Sequence, residues 1–390
     1  MNLQFPMPDA QAQAHSEALR QHLCGVIRQA GGRITFKAFM DLALYAPGLG
    51  YYSAGSHKLG AAGDFITAPE VSPLFGATLA RAIATVRAEL AQADLLEIGA
   101  GSGALAVSIL QALQQQGDTM THYYILEVSA DLRERQRQRL EQAGLLERVC
   151  WLDALPEYFV GVVLANEVLD AMPVHVVEIT ASGVQERYVA LQDDRQFIWQ
   201  TGALSDARLL QRVTDIQQRT GQRLPIGYVS EINLAAEDWL AALAAACQQA
   251  AVLLIDYGFP RHEYYHPQRN QGTLMCHYRH YSHADPFQFV GLQDITAHVD
   301  FTAMADAAVA SGWTVAGYTT QAHFLLGSGL MELLDEPAGA LSAAALLQQQ
   351  AVKKLTLPHE MGELFKVLGL QKNLSLDLPG FCLRDLRDHL

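Results

Sequence analysis

The sequence contains few cysteines and few positive charges, and each shortage excludes a class of protein. Its 390 residues include five cysteines, scattered and odd in number, which indicates reduced thiols rather than a disulfide framework or a zinc knuckle. Lysine and arginine total 27 against 41 acidic residues, which gives a net charge of −14. This charge argues against nonspecific binding of nucleic acid, because that requires a basic surface. It is compatible with a cationic substrate.

Long apolar runs are missing as well. No segment is long enough to span a bilayer. The N-terminal residues carry neither the charged and apolar regions of a secretion signal nor an arginine- and serine-rich transit signature. We therefore expect a cytoplasmic protein without membrane insertion. Half of the residues are hydrophobic, which is enough for the core of one large α/β domain with insertions or of two domains.

What is present is a glycine-rich turn within residues 95–105. A short apolar run predicts a buried strand. Gly99, Gly101 and Gly103 follow it at alternate positions, where they allow a sharp turn and the close approach of a ligand. Ser102 is predicted to cap the next helix. Such turns expose backbone N–H groups to nucleotide-like ligands, although the same pattern also occurs in tight turns that bind nothing.

Polar side chains follow the next predicted strands. Glu127 ends the strand that comes one helix after Gly103, where a carboxylate accepts hydrogen bonds from both hydroxyls of a ribose; the alternative is an ordinary surface carboxylate. Asp153 ends the third strand, in a position to face an adenine amino group, and Asn166 ends the fourth. This order predicts an α/β fold with a doubly wound, Rossmann-like sheet that binds ligands at the carboxyl ends of its strands.

The chain divides into three predicted segments. Residues 1–92 form an N-terminal helical segment that includes an acidic loop, residues 93–330 form the sheet domain, and residues 331–390 form a C-terminal helical segment. Two insertions interrupt the domain, one with antiparallel strands at about 174–230 and one aromatic loop at about 260–300. Further predicted elements are helices over 206–219, 230–249 and 328–372, and strands over 251–255, 313–318 and 321–326.

Several motifs occur in one order along the chain. As they stand, they are Gly63-Asp64-Phe65-Ile66-Thr67-Ala68-Pro69-Glu70, the glycine turn, Asn166-Glu167-x-x-Asp170-x-x-Pro173, Ile255-Asp256-Tyr257-Gly258, Gly272-Thr273-Leu274, Asp294-Ile295-Thr296-x-His298-Val299-Asp300-Phe301 and Met361-Gly362-x-Leu364-Phe365-Lys366. Over roughly residues 20–375 the chain resembles the MidA-like family of class I S-adenosylmethionine-dependent methyltransferases. The first and sixth motifs are specific to that family, whereas the glycine turn is not.

The resemblance implies a class I methyltransferase fold, S-adenosylmethionine as methyl donor and a protein acceptor. The family includes a mitochondrial arginine methyltransferase that assists assembly of respiratory complex I, which implies symmetric dimethylation of arginine on an acceptor such as a respiratory-complex subunit. A homodimer is left open. The residues predicted to contact the donor are Asp64, Thr67, Pro69, Glu97, Gly99, Gly101, Gly103, Glu127, Asp153 and Asn166. Departures from the family at Ser72-Pro73, Gly76-Ala77 and Val290-Gly291 affect the predicted acceptor contacts more than the donor contacts.

Methylation of arginine requires help from acidic side chains. The guanidinium has a pKa above about 12 and is a poor nucleophile. Carboxylates that bind and polarise it favour attack by one nitrogen, while most of the acceleration comes from proximity and orientation. We predict that Glu167 and Asp170 orient the acceptor, that Glu70 assists them, and that His298 accepts the released proton. The alternative for Glu167 and Asp170 is that one of them caps the following helix.

Less specific interpretations remain open. The acidic loop over 63–72 is alternatively an ordinary loop in which Thr67 or Ser72 caps a helix. The protein is alternatively a non-catalytic assembly factor that binds S-adenosylmethionine, and the glycine spacing disfavours a nicotinamide oxidoreductase. The cysteine and histidines over 276–283 match no standard zinc spacing, so no metal is predicted.

Overall fold

The computed structural model describes residues 5–53, 66–90, 93–117, 122–193, 195–334 and 343–390. The chain forms two units, each built from separate stretches of sequence. The insertion unit comprises Met1–Phe65, Asp170–Ala236 and Phe259–Asp300, and the sheet unit comprises Ile66–Leu169, Glu237–Gly258 and Phe301–Leu390. The three segments predicted from the sequence, with boundaries at residues 92 and 330, stay a prediction.

The described residues form the following strands and helices. The strands are β1 (Arg33–Thr35), β2 (Asp94–Ile98), β3 (Tyr123–Leu126), β4 (Val149–Leu152), β5 (Phe159–Asn166), β6 (His175–Thr180), β7 (Gly183–Gln192), β8 (Gln196–Gly202), β9 (Val229–Ile232), β10 (Cys247–Phe259), β11 (Met275–Tyr278), β12 (Tyr281–His283), β13 (Asp294–Thr296), β14 (Val299–Asp300), β15 (Thr314–Thr320) and β16 (Phe365–Lys372). The helices are α1 (Ala10–Gln29), α2 (Phe36–Tyr45), α3 (Ala68–Val71), α4 (Pro73–Glu89), α5 (Ala104–Gln115), α6 (Ala130–Gln142), α7 (Arg208–Thr220), α8 (Leu234–Ala246), α9 (Arg261–Tyr264), α10 (Phe301–Ala310), α11 (Gln321–Gly327), α12 (Ala343–Thr356) and α13 (Met361–Leu364). Within these described ranges, no helix combines the length and apolar character needed to cross a bilayer.

The sheet unit is organised around a mostly parallel sheet with the strand order β15-β16-β10-β5-β2-β3-β4. The strands from β10 to β4 pair in parallel, whereas β16 lies antiparallel to both β10 and β15. Ile98 pairs with Leu126 on one side and with Ala165 on the other, so β2 ends level with its neighbours. The predicted α/β fold is confirmed.

The core of the sheet unit explains why its central strands are apolar. Both β2 and β5 are buried along nearly their whole length, as expected for strands covered on both faces. Ile83 of α4 and Ile109 of α5 are buried in one cluster with Leu95 of β2 and Val162 of β5. Apolar periodicity of 3.6 in the helices and continuous apolar runs in the strands therefore build one core.

The insertion unit holds two smaller sheets. One has the order β1-β7-β6-β9, with β8 paired to β7, and the other has the order β12-β11-β13. Phe36 and Phe39 of α2 are buried in a cluster with Val176, Val189 and Phe197 of the first sheet. The predicted antiparallel strands are confirmed. The stretch 260–300, predicted as an irregular loop, instead contains α9 and the second sheet.

Three predicted elements near the C-terminal half are wrong in type or extent. The strand predicted at 321–326 is helix α11, which begins because the Thr320 side chain accepts a hydrogen bond from the His323 N–H. The helical conformation predicted over 328–372 is wrong for the last part of this range, which forms β16 and pairs with β10 and β15. The helix predicted over 230–249 is reduced to α8, because its first residues pair with β6. Short apolar runs do not distinguish strand from helix until such pairing is known.

Candidate functional site

The glycine turn joins β2 to α5. Gly99, Gly101 and Gly103 have φ values of 62°, 54° and 81°, the left-handed region in which glycine is favoured. A Cβ on Gly99 would lie 3.2 Å from Cγ2 of Val168, so the turn passes close to the end of β5. Gly103, and not the predicted Ser102, is the N-cap of α5. The backbone there is left-handed, a conformation that a residue with a Cβ adopts only at a cost.

Glu127 follows β3 and is largely buried. Its Oε1 accepts a hydrogen bond from the Ser129 N–H at 2.9 Å, and its Oε2 accepts one from Nε2 of Gln136 at 3.1 Å. Burial raises the pKa of the Glu127 carboxyl, and these hydrogen bonds oppose the rise. A carboxylate at the end of a parallel strand suits the predicted ribose contact, which stays a prediction.

Gln136 of α6 links the glycine turn to Glu127, and no sequence pattern predicts this. The side chain is fully buried, and Nε2 also donates to the carbonyl oxygen of Gly101 at 2.9 Å. The indole N–H of Trp151 donates to Oε1 of Gln136 at 2.8 Å, which orients the amide. A glutamine within so charged a helix resembles an exposed residue, so only the tertiary packing shows its role.

Asp153 lies at the end of β4, as predicted, with its side chain 92% exposed. Its carboxylate is 2.8 Å from Nη1 of Arg133. The same guanidinium donates to the carbonyl oxygens of Glu127 at 2.6 Å and of Leu152 at 2.7 Å. Arg133 thereby ties the ends of β3 and β4 together and holds Asp153 at the edge where a ligand is expected.

Glu97 lies in β2 and is buried. One carboxylate oxygen accepts a hydrogen bond from the Tyr123 hydroxyl at 2.7 Å. Burial raises the pKa of Glu97 to about 7; the Tyr123 hydrogen bond opposes this rise and the charge of Glu127 adds to it. The predicted contact of Glu97 with the donor stays a prediction, and its described partner is Tyr123.

The motif that precedes the sheet is described only in its second half. Asp64 lies outside the described residues. Thr67 is the N-cap of α3, without a side-chain hydrogen bond, and Pro69 lies in the first turn. The carboxylate of Glu70 is bound by side chains of the glycine turn and α6. Ser72, the other predicted cap, does cap α4 through its hydroxyl.

The end of β5 is a strained turn. Glu167 has a φ of 53°, a conformation that costs a non-glycine residue about 1–3 kcal/mol, and its Oε1 accepts a hydrogen bond from Asn166 Nδ2 at 3.2 Å. The fully buried Asp256 accepts hydrogen bonds from the N–H groups of Val168 at 3.2 Å and Leu169 at 2.9 Å. Asp256 thus holds the turn that carries Glu167. The sequence marks Asp256 only as part of a family motif, and its hydrogen bonds to the turn come from the tertiary structure.

Within the insertion unit, two predicted site residues lie on neighbouring segments. The carbonyl oxygen of the buried Asp170 accepts a hydrogen bond from the Ala297 N–H at 3.0 Å. The next residue, His298, donates its N–H to Oγ1 of Thr273 at 3.1 Å. Its ring stacks on Phe259 with centroids 5.3 Å apart. The unit therefore brings the Asp170 and His298 segments together, while Glu167 and Glu70 belong to the sheet unit.

A buried carboxylate that no sequence pattern predicts supports the His298 segment. Oε2 of Glu231 accepts hydrogen bonds from the Thr273 N–H at 2.9 Å, from Thr273 Oγ1 at 2.8 Å and from the Tyr264 hydroxyl at 3.3 Å. Burial raises the pKa of the Glu231 carboxyl, and the bonds from Thr273 oppose the rise. Thr273 therefore connects Glu231 to the backbone of His298.

The cysteine–histidine stretch forms part of the small second sheet. Cys276 is buried in β11 and faces His283 of β12 in the sheet register. Burial raises the pKa of the Cys276 thiol, which disfavours the thiolate that binds metals. Over the residues with described positions, no group of three or more His, Cys, Asp or Glu side chains is arranged to hold a metal ion.

Residues 78–319 match a family described as "Putative S-adenosyl-L-methionine-dependent methyltransferase". The chain belongs to this methyltransferase family. A crystal structure of a protein from Burkholderia thailandensis bound to S-adenosyl-homocysteine is 44% identical, with a TM-score of 0.94, over 99% of this chain and 100% of that one. A native crystal structure from the same organism gives a TM-score of 0.91 with the same identity and coverage.

Two relatives named as protein arginine methyltransferases share a lower sequence identity with this chain than these two structures do. "Protein arginine methyltransferase NDUFAF7, mitochondrial" from Rattus norvegicus is 29% identical, over 91% of this chain and 85% of its own. The Caenorhabditis elegans homolog of that protein is 25% identical, over 90% of this chain and 86% of its own. The methyltransferase family predicted from the motifs is confirmed, and so is S-adenosylmethionine as its donor.

Proposed function

We propose that this methyltransferase modifies an arginine side chain of a protein. The position of Glu167 carries the proposal. It follows β5, in which Ala165 pairs with Ile98 just before the glycine turn, and the adjacent Val168 lies against Gly99. A carboxylate beside the donor loop is what a guanidinium acceptor requires. The rat and nematode relatives, both named protein arginine methyltransferases, support the same acceptor.

The glycine turn and the adjoining strand ends suit the donor. Bound S-adenosylmethionine supplies an electrophilic methyl group on a sulfonium. Oδ1 of Asn166 is buried without a hydrogen-bond partner among the described residues, so a donor group of the cofactor would satisfy it. The residues that we propose hold the cofactor are Asp64, Thr67, Pro69, Glu97, Gly99, Gly101, Gly103, Glu127, Asp153 and Asn166.

The acceptor requires orientation and loss of a proton. We propose that Glu167 and Asp170 bind the guanidinium and polarise it. One nitrogen would then attack the methyl carbon as the bond from that carbon to the sulfonium sulfur breaks, with S-adenosyl-homocysteine as the leaving group. The strained conformation of Glu167, held by Asp256, is typical of a side chain fixed for function. His298 accepts the proton, since an imidazole titrates near neutral pH.

The proposal extends to the degree of methylation and to the acceptor protein. We infer symmetric dimethylation on a subunit of a respiratory complex, which the resemblance to the MidA-like family implies. The curated relatives are named as mitochondrial proteins. The cytoplasmic location expected for this chain stays a prediction.

Transfer of a labelled methyl group tests the proposal. The purified protein is incubated with cell lysate and methyl-labelled S-adenosylmethionine, and labelled peptides are analysed by mass spectrometry. We expect label on arginine and symmetric dimethylarginine after acid hydrolysis. Label confined to another residue type contradicts the arginine assignment. Tight binding of S-adenosyl-homocysteine without transfer to any protein supports the non-catalytic assembly factor instead.

A further inference from the structure

The carboxylate of Glu70 is bound on both oxygens by side chains of the sheet unit. Oε1 accepts hydrogen bonds from the Ser102 hydroxyl and from Nη1 of Arg139, the latter at 2.7 Å. Oε2 lies 3.4 Å from Nη2 of Arg139. Nη1 of Arg139 is also 2.5 Å from the Ser102 hydroxyl. Three segments therefore meet at one carboxylate: α3, the glycine turn and the last turn of α6.

Ser102 connects this cluster to the glycine turn. It stands between Gly101 and Gly103, both in left-handed conformations. Glycines lose much conformational freedom when a turn is ordered, and a turn of this composition has few side chains to anchor it. The Ser102 hydroxyl is one such anchor, and its partners are Glu70 and Arg139.

The contacts of Glu70 argue against the role beside the acceptor that the sequence suggested for it, because both carboxylate oxygens are engaged by Arg139 or Ser102. Burial raises the pKa of this carboxyl, but the hydrogen bonds from Arg139 and Ser102 outweigh burial and lower the pKa below its ordinary value. The carboxylate is therefore ionised and already paired with one guanidinium, that of Arg139. Its contacts also lead to the glycine turn through Ser102.

We propose that Glu70 and Arg139 are positioning residues for the methyl donor, which hold the glycine turn in its binding conformation through Ser102. This role replaces the contact with the acceptor that the sequence suggested for Glu70. The inference rests on the proposed function in one respect: the glycine turn must bind the donor. It does not depend on the identity of the acceptor.

Calorimetry with S-adenosyl-homocysteine, in the absence of any acceptor, tests the inference directly. Glu70→Gln keeps the shape and an acceptor for Ser102 but removes the charge that Arg139 requires. We expect binding to weaken about tenfold, since the lost charge-assisted hydrogen bonds are partly exposed to solvent. Arg139→Gln is expected to weaken binding similarly, and the double variant no further than either single variant, because both act through one ion pair.

A matched control lies on the same helix. Arg135 forms an ion pair with Asp131 at 3.0 Å, so Arg135→Gln removes an ion pair of α6 that does not involve the glycine turn. We expect this variant to bind S-adenosyl-homocysteine like the unaltered protein. Equal weakening by Arg135→Gln and Glu70→Gln would reduce the effect to stability of α6 and overturn the inference.

Steady-state kinetics separate a positioning role from a catalytic one. We expect Glu70→Gln to raise KM for S-adenosylmethionine about tenfold and to leave KM for the acceptor unchanged. Unchanged binding of S-adenosyl-homocysteine with a lower kcat would show that Glu70 acts in the chemical step, and would overturn the inference. If Glu70→Gln does not fold, Ser102→Ala replaces it and must weaken binding, with recovery in Ser102→Thr, which restores the hydroxyl. Failure of the unaltered protein to bind S-adenosyl-homocysteine would overturn the proposed function itself.

Discussion

The sheet unit and the insertion unit bury carboxylates in different settings. In the sheet unit, Glu97 and Glu127 lie in or directly after parallel strands. In the insertion unit, Glu186 and Glu231 are buried within antiparallel strands, and Glu186 accepts a hydrogen bond from His175 Nδ1 at 2.8 Å. Parallel topology collects polar strand ends at one edge of a sheet, whereas a buried acid in an antiparallel strand depends on its individual partner.

Two of these buried acids, Glu97 and Glu186, have pKa values shifted in opposite directions. Burial raises the pKa of Glu97 to about 7, and its one hydrogen bond, from Tyr123, is too weak to reverse this. Burial also acts on Glu186, but hydrogen bonds from His175 and Ser205 outweigh it and lower the pKa. Glu231, in the same unit as Glu186, keeps a raised pKa despite its hydrogen bonds, so the balance between burial and hydrogen bonding at each site decides the charge.

Replacing Glu167 is expected to have the largest effect. Glu167→Gln keeps the shape of the side chain and removes the charge that polarises the guanidinium, so kcat should fall by about 10²–10³-fold. Calorimetry should give unchanged binding of S-adenosyl-homocysteine. The control is Glu178→Gln in the insertion unit, which breaks an ion pair with Arg187 at 2.8 Å and should alter neither quantity. Retained turnover in Glu167→Gln would remove this residue from the mechanism.

The next largest expected effect is on how the free energy of unfolding changes with pH, and its sign separates Glu97 from Glu186. The folded pKa of Glu97, about 7, lies above its ordinary value of 4.5. The folded state therefore binds this proton more tightly, and the stabilisation is full below pH 4.5 and lost as the pH rises through 7. The loss is about 3 kcal/mol. Urea unfolding of the unaltered protein and of Glu97→Gln should show this difference between the two pH limits.

The matched variant for this comparison is Glu186→Gln. The folded pKa of Glu186 is lowered, so its stabilisation is present above the ordinary value and is lost as the pH falls through the folded pKa. Compared with Glu186→Gln, the unaltered protein should lose stability as the pH falls. Compared with Glu97→Gln, it should lose stability as the pH rises toward neutral. If both differences in the free energy of unfolding changed in the same direction with pH, the opposite pKa shifts of Glu97 and Glu186 would be contradicted.

The smallest effect is expected at Thr273 in the insertion unit. Thr273→Val removes the hydroxyl that donates to Glu231 and accepts from His298, which should lower the free energy of unfolding by about 1–3 kcal/mol and turnover by about tenfold. Thr273→Ser keeps the hydroxyl and should restore both. Binding of S-adenosyl-homocysteine should not change in either variant. Full turnover in a stable Thr273→Val protein would show that His298 does not depend on its connection to Glu231 through Thr273.

Elements with a local signal were predictable, and elements made by distant pairing were not. The strand before Gly99 and the strand ending at Asn166 are continuous apolar runs bounded by polar residues, so their type is evident from sequence. The run that forms β16 looks the same, yet it was predicted as helix, because its strand conformation depends on β10 and β15, which lie far from it in sequence. Thr320 decided α11 through a cap that apolar periodicity does not show.

The sequence by itself determined the glycine turn, the strand-end positions of Glu127 and Asp153, the methyltransferase family and its donor. The turn and the strand ends follow from local backbone demands, whereas the family and its donor follow from the resemblance carried by several motifs along the chain. Only the tertiary structure decided that Gln136 joins Glu127 to the glycine turn and that Glu70 is bound by Arg139 and Ser102. The physical reason is that a buried polar side chain is defined by its hydrogen-bond partner, and packing alone brings partners together from separate parts of the chain.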